Sequence, residues 1–115
     1  MKHIQDYYAP ILGEFELVVL LTLLRLGNGA WGAAIRRDIQ ERTTRELPVS
    51  VVYVTLHRLE NKGLVRSYLG NPTAERGGRR RRHYLLDTSG EQALGRSYRT
   101  FRDLTKGMEE RLAAL

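Results

Sequence analysis

The sequence predicts a mainly α-helical chain with one small β-hairpin and a long C-terminal helix. Three observations carry that expectation. Helix-forming apolar patterns are interrupted by turn residues three times before residue 64. Two short strand-like runs then flank a glycine-rich arginine segment, and from Leu94 onward apolar residues recur at alternating spacings of four and three.

Each element follows from its own residues. Residues 14–26, EFELVVLLTLLRL, are good helix formers and nearly all apolar, which predicts a helix buried on most of its surface. GNGA stops it, because Gly27 and Gly29 accept positive φ and Asn28 tolerates it. A short amphipathic helix is expected from about Trp31 to Glu41, with Ile35 and Ile39 on one face and Arg36, Arg37 and Gln40 on another. RTTRELP breaks it through a β-branched pair and Pro48, which biases Leu47 away from helical dihedrals. Pro48 suits the first turn of a third helix running to Lys62, where Gly63 caps it.

At about 100° per residue, Val52, Leu56 and Leu59 form the core stripe of that third helix, which Leu64 extends. The opposite face carries Ser50, Val54, His57 and Asn61, flanked by Tyr53 and Arg58. Short hydrogen-bonding side chains around a small apolar group suit base edges, although any surface helix must also have a polar side.

LVRSYL and HYLL read as strands around the loop GNPTAERGGRRRR. DTSGE then supplies Asp87, Thr88 or Ser89 as a cap, with Glu91 or Gln92 to complete a capping box. A final helix is expected to run from there to the end of the chain. Its seam is Leu94, Tyr98, Phe101, Thr105, Met108, Leu112 and Leu115. So long a stripe, about 40 Å at 1.5 Å per residue, exceeds what one small domain can cover and predicts a homodimer, packed against the partner's first helix.

Composition agrees with a single modest core: 115 residues, 42% hydrophobic and 28% charged. The net charge of +6 favours a polyanion, and sixteen of the nineteen basic residues are arginine, whose planar fork grips phosphate or guanine at two points. Scattered arginines also arise from genomic base composition; a run of four does not. The chain has no cysteine, so disulfides and thiolate metal sites are excluded. Its longest apolar block, Leu17 to Leu24, is too short to span a membrane, and MKHIQDYYAP does not resemble a signal peptide, so a cytoplasmic protein is the default expectation.

Helix, helix, helix, hairpin, helix is the order of a winged helix-turn-helix. We expect residues 1–87 to form it and residues 88–115 to form the dimerisation helix. In that architecture the third helix enters the major groove of double-stranded DNA and the hairpin tip lies beside the backbone or in the minor groove. Gly77 and Gly78 would let the tip approach closely, while Arg79, Arg80, Arg81 and Arg82 supply phosphate contacts or minor-groove insertion. Strand alternation limits close contact to about two of the four.

LGEFELVVLLTLLRLGNGAWGAAIRRDI, VVYVTLHRLENKGLV and GGRRRRHYLLDTSGEQAL together resemble the PadR family of bacterial transcriptional regulators, over about residues 12 to 95. The resemblance implies that Tyr53, His57 and Arg58 lie on the DNA-binding helix, with Tyr53 near a phosphate, and that Tyr84 begins the second wing strand. It also implies a dimer through the C-terminal helix, of the family's smaller subtype, and a repressor acting on a palindromic operator. Ser50 stands where glycine is frequent, Val54 where proline is, Trp31 where tyrosine is and Asp87 where threonine is. Family members often respond to small planar aromatic effectors; here Tyr7, Tyr8, Trp31, Tyr98, Phe101 and Met108 are the candidates, and Tyr8, Trp31, Tyr98 and Phe101 the pocket they suggest.

An enzyme is not expected. His3, His57 and His83 lie in separate elements, no serine has an evident base, and neither cofactor nor metal is called for. The remaining alternative is a non-specific nucleic-acid-binding or protein-interaction winged helix. RNA modules stack bases on strand aromatics, and only Tyr68 and Tyr84 could serve that purpose.

Overall fold

A computed structural model describes residues 11–72 and 80–115. The order is α1 (Glu14–Leu26), β1 (Ala30–Trp31), α2 (Gly32–Thr43), α3 (Val49–Asn61), β2 (Val65–Leu69), β3 (Arg82–Leu86), α4 (Thr88–Thr105) and α5 (Glu109–Ala113). The three helices that precede the hairpin wrap one core: Val19, Leu20 and Leu23 of α1, Ile35 and Ile39 of α2, and Val52, Leu56 and Leu59 of α3. Leu64, Val65, Tyr84 and Leu86 close it from the sheet side, and Ala93 and Leu94 from α4.

Local chemistry sets the boundaries. The Glu16 carboxylate accepts the Gly13 N–H at 2.9 Å, satisfying a donor at the start of α1. Gly27 and Gly29 take φ of 85° and 96°, turning the chain so that the Gly29 N–H donates to the Tyr84 carbonyl at 3.0 Å. That bond accompanies a strand the sequence pattern did not predict. β1, only two residues long, pairs antiparallel with β3, giving a sheet ordered β1-β3-β2. Trp31 therefore belongs to this strand, and α2 begins one residue later.

α2 runs two residues beyond Glu41 and ends where Thr44 adopts φ of 58°. Two bonds then clamp the turn to α3. Arg36 Nε donates to the Leu47 carbonyl at 2.5 Å, and the Leu47 N–H donates to Gln40 Oε1 at 3.2 Å. Pro48 caps α3, and Gly63 at φ of 75° follows it.

In three further places the structure departs from the sequence expectations. α1 buries one face only, for Leu21 and Leu24 are exposed on the far side. Asp87 is the cap of α4, its carboxylate accepting the Ser89 N–H at 3.0 Å; the third residue on is Gly90, so neither Glu91 nor Gln92 forms a capping box. Nor does the last helix continue to the chain end. It stops at Thr105, whose hydroxyl donates to the Phe101 carbonyl, and Gly107 at φ of 82° turns the chain before α5 starts. The expected seam is thus split between two helices. No helix among the described residues is long and apolar enough to cross a membrane.

Candidate nucleic-acid interface

The outward face of α3 is uncommitted. Ser50, Tyr53, Val54, His57, Arg58 and Asn61 are all exposed, and none of their side chains hydrogen-bonds or ion-pairs within the chain among the described residues. The expected core residues Val52, Leu56 and Leu59 are fully enclosed on the other side, joined by Thr55, whose hydroxyl donates back to the Val51 carbonyl at 2.8 Å. Tyr53 has a fixed neighbour: its ring tip lies so close to Gly32, the first residue of α2, that a Cβ there would come within 2.4 Å of it. Its hydroxyl is therefore held near a helix N-terminus, a favoured location for an anion.

Five other arginines are already ion-paired. Arg25 and Arg42 hold Asp38, Arg45 reaches Glu14 at 2.7 Å, Arg66 reaches Asp87 at 3.2 Å, and Arg102 pairs with its neighbour Asp103. The hydrogen bond from Arg25 comes first among the causes that hold the Asp38 carboxyl below its ordinary pKa. Arg58, Arg80 and Arg82 make no ion pair among the described residues.

The wing sorts its arginines by strand parity. β2 and β3 pair from Val65 opposite Leu86 to Leu69 opposite Arg82, and the Gly70 N–H extends the ladder by donating to the Arg81 carbonyl at 2.7 Å. Arg79, with Gly77 and Gly78, lies outside the described residues, as do Tyr7 and Tyr8. Arg80 is exposed, with Nε donating to the Gly70 carbonyl at 2.8 Å, and Arg82 donates to Ser67 Oγ at 3.0 Å. Arg81 points the other way, its guanidinium 4.4 Å from the centroid of the Trp31 ring, with a buried Nε that has no hydrogen-bond partner among the described residues.

Trp31 and Arg81 belong to an aromatic cluster on the sheet face away from the core. His83 sits between Trp31, edge-on at 5.9 Å, and Tyr68, stacked at 5.1 Å, and its Nδ1 meets the Gly29 carbonyl at 2.6 Å. With that carbonyl as acceptor, Nδ1 carries the proton. Tyr84 instead points into the core, and burial raises the pKa of its phenol. It is the middle residue of β3, which begins at Arg82 rather than at Tyr84. Tyr68 and Tyr84 consequently lie on opposite faces and cannot form one stacking platform. Sequence reasoning missed the Trp31, His83 and Tyr68 cluster; the signal was the period-two parity of His83 and Arg81, joined through a two-residue strand too short to leave a pattern.

α4 presents a separate apolar face. Leu94 is buried in the chain's own core, but Tyr98, Phe101 and Leu104 are exposed beyond it, followed by Met108, Leu112 and Leu115 past the break. Thr105 is half-buried. Leu104 was absent from the predicted seam because its spacing fits the straight helix only three residues after Phe101. Leu21 and Leu24 form a second apolar stripe on α1, away from its core face. Trp31 makes no ring contact with Tyr98 or Phe101, and no group of three or more His, Asp or Glu residues is placed to hold a metal, among the described residues.

Comparison with known proteins places the chain in context. Residues 20–96 match the model of the Transcriptional regulator PadR-like family. A PadR family transcription regulator from hypervirulent Clostridium difficile superposes with a TM-score of 0.73 at 28% identity, over 87% of this chain and 99% of that one. A PadR family regulator from Eggerthella lenta, at 23% identity, shares the fold with a TM-score of 0.67 over 86% of each chain. A transcriptional regulator from Clostridium thermocellum, at 22% identity, does so with a TM-score of 0.67 over 83% of this chain and 89% of that one. No curated protein matches the chain.

Proposed function

Because the chain belongs to the PadR-like family of transcriptional regulators, we propose that it is a sequence-specific repressor that binds a palindromic operator as a homodimer. The observation that carries this reading is the outward face of α3, whose polar side chains have no partner among the described residues and which stands beside a wing bearing Arg80 and Arg82. Ser50, Val54, His57 and Asn61 face base edges in the major groove, and Tyr53 and Arg58 contact phosphates at its rim. Arg80 and Arg82 supply the wing's backbone contacts, with Arg79 beyond them. Arg81 is assigned instead to holding the wing against Trp31.

The dimer is built from the exposed apolar faces of α4 and α1. Phe101, Tyr98 and Leu104 on one subunit meet Leu21 and Leu24 of the other, burying stripes that a monomer leaves in water. Two copies of α3 then lie about one DNA turn apart, roughly 34 Å. Trp31 and Phe101, both named above for an effector, are given structural duties, and the reading includes no effector site.

Salt titrations of binding by fluorescence anisotropy test the division of labour. Arg80→Ala combined with Arg82→Ala weakens binding to every duplex and flattens the slope of log affinity against log salt by about two per subunit. His57→Ala changes the ranking among operators instead and leaves the slope within about one of wild type. Uniform loss in both variants refutes the assignment.

A further inference from the structure

Val54 is out of place for a solvent-facing helix position. At about 100° per residue it lies at the centre of the face opposite Val52, Leu56 and Leu59, one turn from Ser50 and His57, and it is 52% exposed. Val51, 40% exposed, stands one turn before it toward Arg58. A β-branched residue loses side-chain freedom in a helix, so two exposed valines here do not serve helix stability. Neither belongs to the buried core of the chain. They form a small apolar spot ringed by Ser50, His57, Arg58 and Asn61 on a basic protein.

The only methyl group that an unmodified base pair presents in the major groove is the 5-methyl of thymine; guanine, adenine and cytosine present mainly acceptors or amino donors that a valine would strip of water without replacing the hydrogen bond. We propose that Val54, assisted by Val51, reads the 5-methyl group of a thymine in each operator half-site, with Ser50, His57 and Asn61 reading the adjoining edges. This inference rests on the DNA-binding role proposed above and adds a required base to it.

The test uses the full-length protein and an operator obtained by selection from a random duplex pool. Each thymine is replaced in turn, symmetrically in both half-sites, by deoxyuridine, which keeps the pairing and removes only the methyl group. Burial of one methyl per half-site predicts one position where wild type loses affinity about fifteenfold, about fourfold for each half-site. Val54→Ala, which keeps a good helix former at an exposed site and whose folding is checked by circular dichroism, binds the thymine operator with a similar loss. It is then indifferent to deoxyuridine at that position. Three results overturn the proposal. Specific binding that tolerates deoxyuridine at every position removes methyl reading while leaving the regulator intact. Equal sensitivity in wild type and Val54→Ala assigns the methyl effect to DNA shape. Failure to select any sequence removes both this inference and the reading on which it rests.

Discussion

Gly90 offers the most exacting test of how α4 is joined to the DNA-binding part of the chain. A Cβ on Gly90 would lie 2.1 Å from the Leu64 carbonyl oxygen and 2.8 Å from Leu86 Cδ1. Relieving that contact requires the helix to retreat by about 1 Å or more. It cannot do so freely, because the Asp87 N–H donates to the same Leu64 carbonyl at 3.0 Å and Ser89 Oγ donates to the Gly63 carbonyl at 2.8 Å. Ala93 and Leu94, one turn on, are buried in the core.

Gly90→Ala should therefore cost about 3 kcal/mol of overpacking strain, offset by about 1 kcal/mol of improved helix propensity. The net loss of about 2 kcal/mol corresponds to a fall in Tm of about 8 °C for a chain of this size. Gly32→Ala is the control. Its nearest neighbour is also far too close, at 2.4 Å, but that neighbour is the tip of the half-exposed Tyr53 side chain, which can swing aside. Its melting point should stay within about 2 °C of wild type while DNA affinity falls. Both variants are melted by circular dichroism at one protein concentration, since association raises apparent stability. A Gly90→Ala variant as stable as wild type refutes the packing of α4 on Leu64.

Three more expectations follow from the same geometry. Phe101→Glu places a charge in the proposed dimer seam and should weaken self-association at least about hundredfold, read by sedimentation; an unchanged dimer excludes the seam. The Asp38 carboxyl is held below its ordinary value of 3.8 by the hydrogen bonds from Arg25 and Arg42, so its ionised form stabilises the folded state at neutral pH, and that contribution is lost as pH falls through 3.8 and the lower folded value. Asp38→Asn should accordingly lower urea resistance at pH about 7 and approach wild type below pH about 4; a difference independent of pH contradicts the ion pair. Arg81→Ala uncovers Trp31, the single tryptophan, so its emission should shift to the red, with a smaller change in the salt slope than the Arg80 and Arg82 double variant produces. An unshifted spectrum removes the stacked contact.

How far the sequence was legible varied with the range of the interactions involved. Helical periodicity placed α1 to within a residue and the core stripe of α3 correctly, because an apolar face every 3.6 residues is local information. The hairpin strands emerged for the same reason. β1 did not, since a two-residue strand has no period and exists only because Gly27 and Gly29 turn the chain beside β3. The parity that turns Arg81 toward Trp31, while Arg80 and Arg82 face elsewhere, depended on that strand. The break after Thr105 was hidden by a different cause: the four-three spacing continues across Gly107, whose positive φ ends the helix regardless of the pattern on either side. The exposed half of α1 was misread as buried because its second apolar stripe is left uncovered among the described residues.

Sequence-specific recognition of DNA by α3 is the central claim, and selection of bound duplexes from a random pool tests it most directly, with the winning sequence titrated at two salt concentrations. The account predicts an inverted repeat with half-sites about one helical turn apart and affinity that falls steeply with salt. Salt-dependent binding with no enriched sequence would contradict it, reducing the wing arginines to a non-specific electrostatic anchor and leaving the outward face of α3 without a base to read.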